Sequence, residues 1–335
     1  MNWFLSKKNH SSRQLDSNYT IIMLPLHRQT KTSSDMKKEK NINVEMYRVV
    51  GDLNPFIKVD FVDKDAQEHT GLMMLDSGSN VNLLSCEADK YIGDMCRRDD
   101  TELEITDSVG ETMIADCVHF SFAFGGKQFN EDFGIDRDCH LGNVEDLPII
   151  GLLGNKFMQL HGLVIDYSDF TVHTSDIHQT GLCASECDFM FRMEIGLKNY
   201  GLPVLAIHHE ETDAAVLADT GSSANVVSTQ CISQCNLKCE YTDGNDTLNG
   251  IKGNSEARLA NVSFNLLTLR ENCAESIPFR DSFMVITHPV AEGYVFNDDV
   301  SQPIDGIIGS PFMAKQGWTL DFAQKVIYKR KSLTL

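Results

Sequence analysis

Two stretches of this chain are in-register copies of each other, and that duplication limits the possible folds more than any other feature. Leu75-Asp76-Ser77-Gly78-Ser79-Asn80-Val81-Asn82-Leu83-Leu84-Ser85 aligns with Ala218-Asp219-Thr220-Gly221-Ser222-Ser223-Ala224-Asn225-Val226-Val227-Ser228 at an offset of 143 residues. The copies share Asp, Gly, Ser, Asn and Ser, and their apolar positions coincide. Further on, Gly151-Leu152-Leu153-Gly154-Asn155-Lys156-Phe157-Met158 aligns with Gly306-Ile307-Ile308-Gly309-Ser310-Pro311-Phe312-Met313 at an offset of 155, which Gly162/Gly317 and Asp166/Asp321 keep. A repeat of this kind sets the unit of folding. The second copy holds 12 more residues between its motifs. They are expected in loops around 267–282 and 291–302, where length changes are best tolerated.

Within each copy the apolar runs are short and alternate with polar residues. Phe56-Ile57-Lys58-Val59-Asp60-Phe61, Met73-Met74-Leu75, Val118-His119-Phe120-Ser121-Phe122 and Leu163-Val164-Ile165-Asp166-Tyr167 are β-branched or aromatic and bounded by turn residues, so they read as strands. A short helix is expected after each apolar-apolar-Gly turn, with Asn155 or Ser310 as N-cap and Pro311 at the first helical position. Each copy is then an all-β unit with one or two short helices. A length of 335 residues is enough for two such cores.

Charge divides the chain differently. Residues 1–45 hold eight Lys/Arg against four Asp/Glu, so the net charge of -19 is carried by a body of net -23 behind a basic segment. That segment reads as a disordered basic leader, with the two halves at 46–180 and 181–335. The acidic body would repel a phosphate backbone, which excludes nucleic acid as a partner. No run approaches the roughly 20 apolar residues that span a bilayer. With no signal-peptide core near Lys7 and Lys8, a cytoplasmic location is expected, with free thiols for the ten cysteines. Cys231, Cys235 and Cys239 recur every four residues, but neither they nor any histidine show a metal-ligand spacing, and no metal or cofactor is expected. A Gly-x-Ser-x-Gly elbow is absent, which argues against a serine or cysteine hydrolase.

The chemistry is expected in the duplicated Asp-Ser/Thr-Gly triplets. An apolar strand running into such a triplet delivers Asp76 or Asp219 onto a tight loop, where Gly78 or Gly221 lets the backbone turn. The Ser77 and Thr220 hydroxyls can bond across the loops, and those of Ser79 and Ser222 can donate to the carboxylates. One triplet is ordinary turn material; two in register, each followed by a matching apolar-apolar-Gly segment, are a specific signal.

Both copies resemble the retropepsin-type aspartic proteases, the single-domain relatives of pepsin. The resemblance rests on Leu75 to Ser79, Ala218 to Ser222, Ile149-Ile150-Gly151-Leu152-Leu153-Gly154, Asp305-Gly306-Ile307-Ile308-Gly309, and the closing Ile165-Asp166-Tyr167 and Leu320-Asp321-Phe322. It covers about 46–175 and 188–330. It implies two closed β-barrel halves forming a pepsin-like pseudo-dimer, a monomer with an internal pseudo-twofold and a peptide or protein as substrate. Asp76 and Asp219 would then be the catalytic pair, with flaps at Val109 and Gly110 and at Ile251, Lys252 and Gly253. Apolar flanks at Val81, Leu84, Val226 and Val227 suggest hydrophobic side chains beside the cleaved bond. The alternative is a catalytically silent protein that keeps this fold as a binding adaptor.

Overall fold

Strand Asp52–Val62 buries Phe56, Ile57, Val59 and Phe61 and turns Lys58 and Asp60 to solvent, the period-two pattern of a strand with one face on a core. Its neighbour Glu68–Asp76 becomes fully buried from Gly71 onward, because it runs through the middle of the sheet. The computed structural model describes residues 3–5, 41–49, 51–92, 97–107, 112–135, 140–175, 186–193, 202–210, 212–249, 254–270, 273–296 and 300–331.

Each copy closes into a barrel. In the first, the ring runs Asp52–Val62, Glu68–Asp76, Leu147–Gly154, Leu83–Leu84, Lys127–Ile135 and Thr112–Phe124, and returns through the pairs Asp60↔Ala123 and Phe61↔Phe122. In the second it runs Val204–His209, Thr212–Asp219, Val300–Gly309, Val226–Ser228, Cys273–Ile286 and Asn254–Arg270, and closes at Ile207↔Leu266. The fold is all-β with a few short helices, as expected, and the sheets run on beyond the rings at Tyr47–Val49 and Lys238–Asn249.

A third sheet of six strands joins the copies: Cys187–Arg192, Val326–Arg330, Thr319–Asp321, Leu163–Asp166, Thr171–Thr174 and Asn43–Glu45. At its centre Ile165 pairs with Leu320, its own counterpart in the repeat, while Val164 pairs with Asp321 and Asp166 with Thr319. The register is symmetric about Ile165 and Leu320, so the pseudo-twofold axis passes between them. Asn43–Glu45, inside the segment read as a leader, is the outer strand of this sheet, and Ile42 before it is buried. Trp3–Leu5 pairs with Arg97–Asp107 at the edge of the first barrel's sheet.

Three details depart from the sequence reading. The extra residues of the second copy lengthen hairpins rather than loops. The pairs Leu84↔Ile135 and Val227↔Val285 put a net seven of them between Val227 and Val285, the stretch that holds the long hairpin of Asn254–Arg270 with Cys273–Ile286, and five between Val285 and Gly309. The helices Asn155–Leu160 and Ser310–Gln316 are capped by Gly154 and Gly309, one residue before the expected caps, with no side-chain cap. A Cβ on Gly154 would lie 2.4 Å from Val81 O, and on Gly309 2.5 Å from Ala224 O, so packing demands glycine at both positions. Finally, Cys231 lies in helix Thr229–Gln234, but Asn236, with φ 43°, ends that helix and puts Cys239 on strand Lys238–Asn249.

Among the described residues no helix is long and apolar enough to cross a membrane.

Candidate functional site: two aspartates on paired loops

The repeated apolar-apolar-Gly segments explain themselves at the aspartates. Leu147–Gly154 runs parallel to Glu68–Asp76 and antiparallel to Leu83–Leu84, so it is threaded between the strands on either side of the Asp76 loop. Gly154 ends up beside Asp76, and in the second copy Gly309 lies beside Asp219 in the same register. The Asn shared by both motifs fastens this crossing: Asn82 Oδ1 accepts from Gly154 N at 3.0 Å and Asn225 Oδ1 from Gly309 N at 2.9 Å. The sequence shows that these asparagines repeat, but their task becomes visible only once the threaded strand is placed.

The two loops hold each other through four buried hydrogen bonds. Thr220 Oγ1 donates to Leu75 O at 2.6 Å and accepts from Ser77 N at 2.9 Å. Ser77 Oγ donates to Ala218 O at 2.7 Å and accepts from Thr220 N at 2.9 Å. Each hydroxyl thus fills both of its roles across the axis, and the pattern maps onto itself under the pseudo-twofold rotation. Buried polar groups satisfied this fully are rigid.

Inside this frame Asp76 Oδ1 accepts from Gly78 N and Asp219 Oδ1 from Gly221 N, both at 2.9 Å. Both carboxyl groups have no exposed surface. The structure brings the two predicted acids together: Gly221 of the Asp219 loop packs directly against the Asp76 carboxyl, and the charge of Asp219 acts on Asp76. Burial, reinforced by the charge of Asp219, pushes Asp76 well above the usual carboxylate range, and burial also pushes Asp219 up. Asp76 Oδ2 is buried with no protein donor on it. Gly221 packs against Asp76 so tightly that a Cβ there would lie 2.4 Å from Asp76 Cγ. Asn54, which the sequence reading passed over, donates from Nδ2 to Gly221 O at 3.2 Å and so ties the first barrel to the second loop.

Other expected site residues fall elsewhere. Ser79 Oγ donates to Val81 O and Ser222 Oγ to Ala224 O, both at 2.8 Å, so these hydroxyl protons stabilise the loop backbone rather than the carboxylates. Leu84 and Val227 are buried in one apolar cluster and Val226 in a second, on the opposite face of its strand, while Val81 packs against a third. Asp166 and Asp321 hold turns, accepting from Ser168 N and Gln324 N. Val109, Gly110, Ile251, Lys252 and Gly253, where flaps are expected, lie outside the described residues.

No family model and no curated protein matches the chain. Among solved structures it is similar to an aspartic proteinase from Irpex lacteus, with a TM-score of 0.47 and 10% identity over 88% of this chain and 98% of that one. It is also similar to Basic 7S globulin from soybean, with a TM-score of 0.48 and 9% identity over 88% of this chain and 95% of that one. The two closed six-stranded barrels fit the duplicated architecture that the sequence resemblance implies.

Proposed function

We propose that the chain is an aspartic endopeptidase whose water is activated jointly by Asp76 and Asp219. The observation that carries this reading is the apposition of two fully buried carboxyl groups, both with raised proton affinity, on loops that are hydrogen-bonded to each other across the axis relating the two copies. Two such acids cannot both ionise, so the pair keeps one proton. The ionised member takes a proton from a water placed between them while the protonated member donates to the scissile carbonyl oxygen, which leaves a neutral tetrahedral diol. Proton transfer of this kind contributes about 10² to 10⁴ in rate. Ser77 and Thr220 act as positioning residues, and one chain supplies the whole site as a monomer.

The test is incubation of the full chain with a diverse peptide mixture at mildly acidic pH, beside Asp76→Asn and a peptide mimic carrying a hydroxyl in place of the carbonyl. Cleavage that is lost in the variant and blocked by the mimic supports the reading. If the wild type binds the mimic but cleaves nothing, the chain is instead a silent peptide binder.

A further inference from the structure

Apart from the aspartate pair, three side chains of different chemistry converge at helix Cys86–Ile92. Cys86 Sγ lies 2.7 Å from His140 Nδ1, and Glu87 Oε1 lies 3.5 Å from the same nitrogen. All three donor atoms are within 4.8 Å of one another. Folding brings them together across 54 residues: Leu83–Leu84, just before the helix, pairs with Leu147–Gly154, just after the His140 segment. Glu87 secures that segment by accepting from Leu141 N at 3.3 Å and Gly142 N at 3.2 Å.

Two uses of a Cys, His and Glu trio are distinguished by which ring nitrogen each partner addresses. A nucleophilic relay puts thiol and carboxylate on opposite nitrogens, so that the ring passes a proton between them. Here both address Nδ1, and Nε2 is 3.8 Å from the sulfur. Donors gathered on one side of one point are arranged to chelate.

We propose that Cys86, Glu87 and His140 form a binding site for one divalent cation of the zinc class, with solvent as the fourth ligand. Thiolate, imidazole and carboxylate are the donors Zn2+ prefers, and three protein ligands plus water is a common zinc arrangement. Tetrahedral bonds of about 2.3 Å to sulfur and about 2.05 Å to nitrogen need the two atoms about 3.6 Å apart, so the ring must move outward by less than about 1 Å. The His140 side chain is 76% exposed and free to make that movement, whereas Glu87, at 14%, is held. After accepting one backbone N–H, each Glu87 oxygen keeps a lone pair for the metal. Binding displaces the Cys86 thiol proton to solvent, so affinity rises with pH. The site shares no residue with the aspartate pair and does not depend on peptidase activity.

Titrating Zn2+ and Co2+ into the purified full chain tests this. The wild type should bind one equivalent that Cys86→Ser and His140→Ala lack, with a thiolate-to-cobalt charge-transfer band missing from Cys86→Ser. Affinity in His140→Ala should fall by at least the roughly 10- to 100-fold that loss of an outer-shell partner costs. His140→Asn serves as a second variant that keeps a polar surface group. Without metal these His140 variants should unfold at the wild-type temperature, and Zn2+ should raise the wild-type Tm alone. Equal binding with the same band in wild type and variants, or no Zn2+ uptake by the wild type, overturns the site.

Discussion

Tyr167 Oη lies 2.5 Å from Ser310 Oγ, a contact that links the first copy to the loop carrying Asp219. Its direction follows from proton counting. Ser310 Oγ donates its only proton to Thr220 O at 2.7 Å, so Tyr167 is the donor. Burial holds the Tyr167 hydroxyl above its ordinary range, which keeps it protonated and able to donate at every working pH. The repeat places Phe322 opposite Tyr167 and Asn155 opposite Ser310, so this tether exists on one side of the axis only.

Ser310→Ala should therefore cost more than Tyr167→Phe. The first strands the buried Thr220 carbonyl, at about 1–3 kcal/mol, whereas the second loses one hydrogen bond worth about 1 kcal/mol. Thermal unfolding of the two variants measures the difference, and a Tyr167→Phe protein less stable than Ser310→Ala contradicts the assigned direction.

Thr220→Val keeps the side-chain volume but leaves Ser77 N and Leu75 O without their partner, and should lower both stability and cleavage. Thr220→Ser restores the arrangement that Ser77 already makes in the other copy and should be close to neutral. A loss in Thr220→Ser with Thr220→Val close to neutral would show that the methyl group, not the hydroxyl, matters.

Gly221→Ala puts a methyl group into the Asp76 carboxyl. A shift of about 1 Å in a reacting group can cost about 10²-fold, so kcat should fall by that order while the barrels stay folded. Steady-state cleavage read beside circular dichroism decides this. Wild-type kcat in a folded Gly221→Ala protein would place Asp76 outside the chemistry.

The raised carboxyls also fix a stability profile. A group whose folded affinity for protons exceeds its unfolded affinity contributes stability that is fully present below the unfolded value, about 3.9 for Asp, and is lost as pH rises through the folded value. Asp76→Asn removes that loss. At neutral pH it should unfold at a higher temperature than the wild type while cleaving nothing, and its Tm should depend less on pH across the weakly acidic range. Wild-type cleavage should decline as pH rises above neutrality and the shared proton leaves; a rate still climbing in alkaline solution would exclude a shared-proton pair.

The repeat made two all-β units and the duplicated acids legible, because an offset kept over many residues sets the unit of folding; the closed barrels and their facing arrangement were implied by the resemblance. Ser77 and Thr220 were legible for the same reason. Ser79 and Ser222 were misread because a hydroxyl beside an acid looks like its donor, whereas the turn geometry offers the carbonyl two residues on. Asn155 and Ser310 looked like helix caps by residue type, yet Ser310 turns inward to Thr220 and the cap falls on glycine. Asn54 carries no local signal, since its partner is 167 residues away. Cys86, Glu87 and His140 escaped for the same reason, their proximity being a product of strand pairing.

The register centred on Ile165 and Leu320 relates two sequences that are no longer identical, and the differences Ser77/Thr220, Asn155/Ser310 and Tyr167/Phe322 cluster beside the acids. A site built from two identical subunits presents equivalent walls, so a bound strand could run either way with the same energy. Here the buried supports behind the two acids are distinct, and under the proposed peptidase function the two directions of an extended ligand would no longer be equivalent.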